Sequence, residues 1–162
     1  MSPQDSIRGQ IETLLFGQYL ATLSTCSAEG HPYASLVAFD AAPDLRGVVF
    51  ATSRATRKFA NLEHNARAAL LVENSRNLKS DIYEAMAVTV LGTVTELSGR
   101  PAEEAAARYG ARHPLLADFV RAPSTAVLRL EVKVYYLVNR FQKVMEYHVG
   151  GQTDSAAGGP AA

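Results

Sequence analysis

The sequence predicts a mainly β protein with inserted helices, closed into one mostly antiparallel barrel of about seven strands. Three observations carry that expectation. Short segments rich in β-branched, aromatic and small apolar residues recur along the chain, separated by Gly, Pro, Asn and Asp turns. Only one intervening helix, at 56–64, lies where a right-handed parallel crossover would be natural, which argues against a doubly wound sheet. The 162 residues, 48% of them hydrophobic, suit a single core.

The elements follow in order. Ile7, Ile11, Leu14 and Leu15 fall at helical spacing, with Asp5 or Ser6 available as cap and Gly17 as terminator, so the chain opens with a short amphipathic helix. Residues 19–25 and 32–39 read as strands, and Ser27-Ala28-Glu29-Gly30 between them reads as a hairpin connection. A third strand at 48–52 follows the Pro43-Asp44 turn, and a helix at 56–64 then interrupts the sheet. Segments 68–72 and 86–97 resume it with near-continuous apolar runs, and Gly92 inside the second marks a bulge or bend needed for closure. Residues 101–109 form a helix with Pro101 in its first turn and Glu103 and Glu104 near its positive end, and His113-Pro114 starts another helical piece. The last two strands span 126–138 and 141–149, joined at Asn139-Arg140. Residues 1–149 are expected to be one domain, and the Gly-rich tail 150–162 has too little apolar surface to fold.

Charge and composition narrow the function. Sixteen basic residues balance sixteen acidic ones, so no overall field draws the protein to nucleic acid or to an anionic membrane. No apolar run reaches the roughly 18 residues of a membrane helix and the N-terminus is polar, so the expected location is the cytoplasm. Cys26 is the single cysteine and reads as a small buried residue. The four histidines, His31, His64, His113 and His148, lack metal-ligand spacing, and no metal site is expected. Neither a nucleophile elbow nor a Gly-rich dinucleotide loop is present.

The chemistry concentrates in residues 50–62, FATSRATRKFANL, which leave a strand, turn, and enter a helix with Arg54, Arg57 and Lys58 around its start. A helix N-terminus already carries about half a positive charge, so each cation there costs roughly 0.3–1 kcal/mol where an anion would gain as much. The residues four positions on are Lys58, Asn61 and Leu62, none of them acidic. One reading is a phosphate held by backbone N–H groups, the Thr52, Ser53 and Thr56 hydroxyls and the cations. The other is a solvated basic loop answered by a distant carboxylate.

The fragments Leu20-Ala21-Thr22-Leu23-Ser24-Thr25, Glu29-Gly30-His31-Pro32-Tyr33, Val49-Phe50-Ala51-Thr52, Arg57-Lys58-Phe59-Ala60-Asn61-Leu62 and Asn65-Ala66-Arg67-Ala68-Ala69-Leu70, in this order and spacing, resemble the flavin-binding split barrel of the pyridoxamine 5'-phosphate oxidase-like proteins. The resemblance covers about 16–96, with a looser echo over 128–147. It implies a split β-barrel, a homodimer, and flavin mononucleotide (FMN) at the subunit interface. By the same resemblance Arg57 and Lys58 hold the phosphate with Ala51, Thr52 and Ser53 beside them, and Ser35, Leu36 and Val37 line the flavin ring with backbone groups. In the loop 74–81, Asn77 and Ser80 are the favoured cofactor contacts, and Arg140 and Phe141 are candidates to reach the partner's flavin. Asp81 and Glu84 could flank the flavin or simply be solvated.

The chain also departs from the oxidase that names the group. Its second strand, Ala34-Ser35-Leu36-Val37-Ala38-Phe39, lacks that enzyme's basic pair, and its tail is Gly-rich instead of basic and His-containing. The implied function is an FMN-dependent oxidoreductase other than a true pyridoxamine phosphate oxidase. The alternatives are a non-catalytic flavin- or haem-binding protein, with His148 as the candidate haem ligand, or a deazaflavin-dependent reductase.

Overall fold

A computed structural model describes residues 1–150, and the expected tail beyond Gly150 lies outside the described residues. The strands are β1 (Leu20–Cys26), β2 (Pro32–Ala41), β3 (Gly47–Ser53), β4 (Arg67–Glu73), β5 (Ala87–Glu96), β6 (Thr125–Asn139) and β7 (Lys143–His148). The helices are α1 (Pro3–Gly17), α2 (Arg57–His64), α3 (Asp81–Glu84), α4 (Gly99–Arg112) and α5 (Ala117–Arg121), with a short 3-10 turn at Pro114–Leu116 before α5.

All pairings are antiparallel, in the order β3-β2-β1-β4-β5-β6-β7, and β3 also pairs with β6, which closes six strands into a barrel. The length of β6 makes this possible. Its first half pairs with β3, from Ser53↔Thr125 to Gly47↔Glu131, and its second half pairs with β7, from Val134↔His148 to Asn139↔Lys143. Along its other edge β5 follows it from Leu128 to Val138, with a register shift at Leu91/Gly92 that leaves Lys133 out of that ladder. The shift needs glycine, because a Cβ at Gly92 would stand 2.0 Å from the Glu131 carbonyl oxygen.

Alternation along the strands sends Leu23, Phe39, Phe50, Leu70, Val90, Leu130 and Leu137 into a solvent-free interior. Helix α1 adds Ile11, Leu14 and Leu15 to that core at one end of the barrel, and α2 adds Phe59 and Leu62 at the other. Outside the barrel, Tyr109 and Ala106 of α4 and Val120 of α5 cover Ala51 and Val127 in a smaller cluster.

Three local expectations are corrected. The cap of α1 is Ser2, whose hydroxyl accepts from the Asp5 N–H at 3.1 Å while the Asp5 carboxylate accepts from the Ser2 N–H at 2.9 Å. This reciprocal box with Pro3 at the first helical position outcompetes a start at Asp5 or Ser6. Gly17 stays helical, and Gln18 is the C-cap. Helix α4 starts at Gly99, so Glu103 and Glu104 fall in its second turn, where Glu104 pairs with Arg100 at 2.9 Å.

Candidate functional site

The β3-to-α2 turn is built by hydroxyls. Thr56 caps α2, its Oγ1 accepting from the Phe59 N–H at 3.3 Å and donating to the Ser53 carbonyl at 3.0 Å. Thr52 Oγ1 sits 2.9 Å from Thr56 Oγ1, and Ser53 Oγ accepts from the Ala55 N–H at 3.2 Å. The first backbone bond of the helix is Ala60 N–H to Thr56 O. The N–H groups of Arg57 and Lys58 therefore have no acceptor among the described residues, as first-turn donors do.

The three cations of this turn differ. Arg54 is answered by the Glu96 carboxylate at the end of β5, and its guanidinium lies over the Phe59 ring, 5.6 Å from the centroid. The distant-carboxylate reading is thus correct for Arg54. Arg57 and Lys58 have no carboxylate within ion-pair distance among the described residues. The Arg57 guanidinium instead lies over the ring of Tyr33 on β2, 5.7 Å from its centroid. What remains is a positive helix end with two unanswered cations and two open backbone donors, the donor set of a phosphate site.

Beside this turn the barrel is split. Strand β2 pairs with β1 from Pro32 to Ala38 but with β3 only from Phe39 to Ala41, so among the described residues its 32–38 edge facing β3 carries no strand. Ser35, Leu36 and Val37 lie on that stretch. The Ser35 Oγ is buried without a hydrogen-bond partner among the described residues, Leu36 is 63% exposed on the outer face, and Val37 is buried in the core. Thr52 is buried at the barrel end, Ser53 is half-buried, and Ala51 is covered by α4.

Asn77, Ser80 and Arg140 lie elsewhere. Asn77 has φ 60° in the loop after β4, Ser80 precedes α3 without a side-chain cap bond, and Arg140 has φ 44° in the β6–β7 turn. Asp81 ties that loop down, its Oδ2 accepting from the N–H groups of Arg76 at 2.9 Å and Leu78 at 2.7 Å. Tyr83 of α3 meets Phe141 with ring centroids 5.4 Å apart. A cavity of about 730 Å³, lined by Ile7, Tyr83, Glu84, Met86, Arg140 and Lys143 among others, opens there. This is the α1 end of the barrel. Strand β4, seven residues or roughly 23 Å long, runs from the α2 end to it, so one chain does not bring Asn77, Ser80 or Arg140 to Arg57 and Lys58.

Among the described residues no three His, Cys, Asp or Glu are grouped to hold a metal, and no helix is long and apolar enough to cross a membrane. His148 is exposed and lies 3.3 Å from Glu146. Sequence reasoning missed Tyr33, Glu96, Tyr109 and His113, all brought to the site's surroundings by pairing between distant segments. Their only local signal was residue type.

The sequence profile of the family described as pyridoxamine 5'-phosphate oxidase matches residues 7–139. Among solved structures, a heme binding protein from Mycobacterium smegmatis superimposes with TM-score 0.76 at 20% identity, over 85% of this chain and 55% of that one, so this chain spans about half its length. HutZ, a heme storage protein from Vibrio cholerae, gives TM-score 0.68 at 18% identity over 77% and 89% of the two chains. The General Stress Protein 26 of Bacillus anthracis gives 0.68 at 16% identity over 88% and 98%. Comparison with curated proteins returns no match. These likenesses establish a shared fold, and the profile match over most of the chain, joined to the split barrel and the Arg57-Lys58 turn, places the protein in the pyridoxamine 5'-phosphate oxidase family.

Proposed function

We propose that the protein is an FMN-binding flavoprotein and acts as an oxidoreductase. The observation that carries this is the start of α2, where Arg57 and Lys58 stand at a positive helix end with open N–H groups and, among the described residues, no carboxylate in ion-pair range. A phosphomonoester dianion supplies the charge that the turn lacks. The residues fit the group on a second count, because the unpaired edge of β2 beside the turn offers backbone donors and acceptors, and the Ser35 hydroxyl there is buried and unpartnered. Arg57, Lys58, Thr52 and Ser53 would hold the phosphate, and Ser35, Leu36 and Val37 would line the ring. A bound flavin supplies hydride or single-electron transfer. The protein's own part is to bind, orient and shield it.

The active unit is a homodimer in this reading. Leu36 pairs in register with Thr22 and Thr22 with Leu71, so Leu36 and Leu71 lie in one row across the outer face of the sheet with Leu20 near them, 63%, 39% and 52% exposed. Covering such a patch favours association. A two-fold partner would also supply the α1-end residues Asn77, Ser80 and Arg140 that one chain keeps away from Arg57. The substrate is a small molecule other than pyridoxamine phosphate, because β2 carries no basic pair, and the site is cytoplasmic.

Haem binding is a second reading, because a heme binding protein and a heme storage protein share this fold. His148 stands apart from the α2 turn and is engaged by Glu146, which places haem behind FMN. The test is uptake. Protein incubated with FMN, riboflavin or haemin and passed through a desalting column should retain FMN, about one per chain, and little riboflavin. A Soret band with no flavin retention would reverse the order of the readings.

A further inference from the structure

The split in the barrel begins at one point on β2. Strand β1 accompanies β2 up to Ala38, and β3 takes over at Phe39. The Phe39 N–H donates to the Tyr19 carbonyl at 3.3 Å, so Phe39 faces the β1 edge, and its own carbonyl there lies beyond the last register pair, Leu20↔Ala38. The last turn of α4 meets both Ala38 and Phe39. The ring of His113, the C-cap residue of α4, places Nε2 2.7 Å from the Phe39 carbonyl oxygen, and the Tyr109 hydroxyl donates to the Ala38 carbonyl at 3.4 Å. A carbonyl only accepts, so Nε2 of His113 carries the proton.

The surroundings make this a fixed joint. Tyr109 is 1% exposed and His113 8%, and their ring centroids lie 4.8 Å apart. Arg112 between them lies over the rings of Tyr19 and Phe39, at 5.1 and 5.9 Å, and its Nη2 donates to the carbonyls of Leu15, Phe16 and Gln18 at the end of α1. The root of the open β2 edge is therefore clamped between α4 and α1.

We infer that His113, assisted by Tyr109, is a positioning residue for the flavin ring: it fixes the Ala38–Phe39 backbone from which the cofactor-lining stretch Ser35–Val37 extends. The inference rests on the FMN reading. His113 acts through the strand, and its loss leaves the Phe39 carbonyl buried and unpartnered, a cost that loosens the adjoining edge. The Arg57-Lys58 end is untouched by such a change, so phosphate capture persists while ring placement suffers.

The test uses the full chain loaded with FMN. His113→Leu should weaken FMN binding about tenfold and alter the visible circular dichroism of the bound flavin, and His113→Gln, which retains a donor, should recover both. Val88→Ala, buried on β5 with β4 and β1 between it and β2, serves as a control of comparable thermal destabilisation and should leave the flavin spectrum unchanged. Wild-type affinity and spectrum in His113→Leu, or the same spectral change in Val88→Ala, would overturn the positioning role alone. Wild-type protein that takes up no FMN overturns the flavin reading and this inference with it.

Discussion

The guanidinium of Arg57 lies 5.7 Å above the Tyr33 ring, across the gap between the start of α2 and the open edge of β2. An arginine stacked on an aromatic keeps its fork-shaped donors directed while losing little conformational freedom, and the contact itself contributes roughly 0.5–1 kcal/mol at an exposed site. The stack joins the phosphate turn to the strand that would line the ring, so a single ligand spanning both is the economical occupant.

Arg54 and Glu96 supply the first prediction. Their pair is about half exposed, so Glu96→Gln should cost less than about 1 kcal/mol of stability. It also frees a third cation beside the phosphate turn. FMN affinity should rise about two- to fivefold, and its salt dependence should steepen, as read by fluorescence titration at several ionic strengths. Unchanged or weaker binding would show that Arg54 takes no part in the field of the site.

Gly92 supplies the second. A methyl group there meets a backbone carbonyl at 2.0 Å, which no rotamer change can relieve. Gly92→Ala should therefore lower the unfolding free energy by about 1–3 kcal/mol or more, measured by urea denaturation. A neutral result would mean that the β5–β6 bulge is not where the register places it.

Alkaline pH supplies the third. Burial pushes the Tyr109 phenol up to about 12, and Tyr135, whose hydroxyl donates to the Leu45 carbonyl at 2.7 Å, is also raised by burial. Both folded-state values lie above the unfolded one, near 10, so the native state holds protons that the unfolded chain has released. Stabilisation from Tyr109 is complete below about pH 10 and drains away as pH rises from about 10 to 12, and that from Tyr135 likewise begins to drain above about pH 10. Tyr109→Phe should flatten part of that fall in a pH series of thermal melts.

Much of the barrel was legible because strand patterns are local. Segments 48–52 and 86–97 are near-continuous runs rich in β-branched, aromatic and small apolar residues, and Gly92 betrayed the bulge by interrupting the second. The four-residue α3 is too short to show a period, and the Ser2 capping box lost to a cap nearer the first apolar residue. At the site, Arg57 and Lys58 were legible from the mismatch between cations and a helix start, a rule that acts within one turn. Glu96 answering Arg54, Tyr33 under Arg57 and His113 on Phe39 were not. Each is a meeting of distant segments fixed by barrel closure, and His113 lies 74 residues from its acceptor.

The most direct test is the double variant Arg57→Ala with Lys58→Ala, followed in both apo and FMN-loaded protein. In the apo protein two cations leave a positive helix end, so thermal stability should hold or rise slightly, by roughly 0.3–1 kcal/mol per charge. FMN affinity should fall at least about 100-fold, since two charge-assisted contacts are lost, while riboflavin binding should barely change. Undiminished FMN retention in a folded double variant would contradict the assignment of this turn to the phosphate.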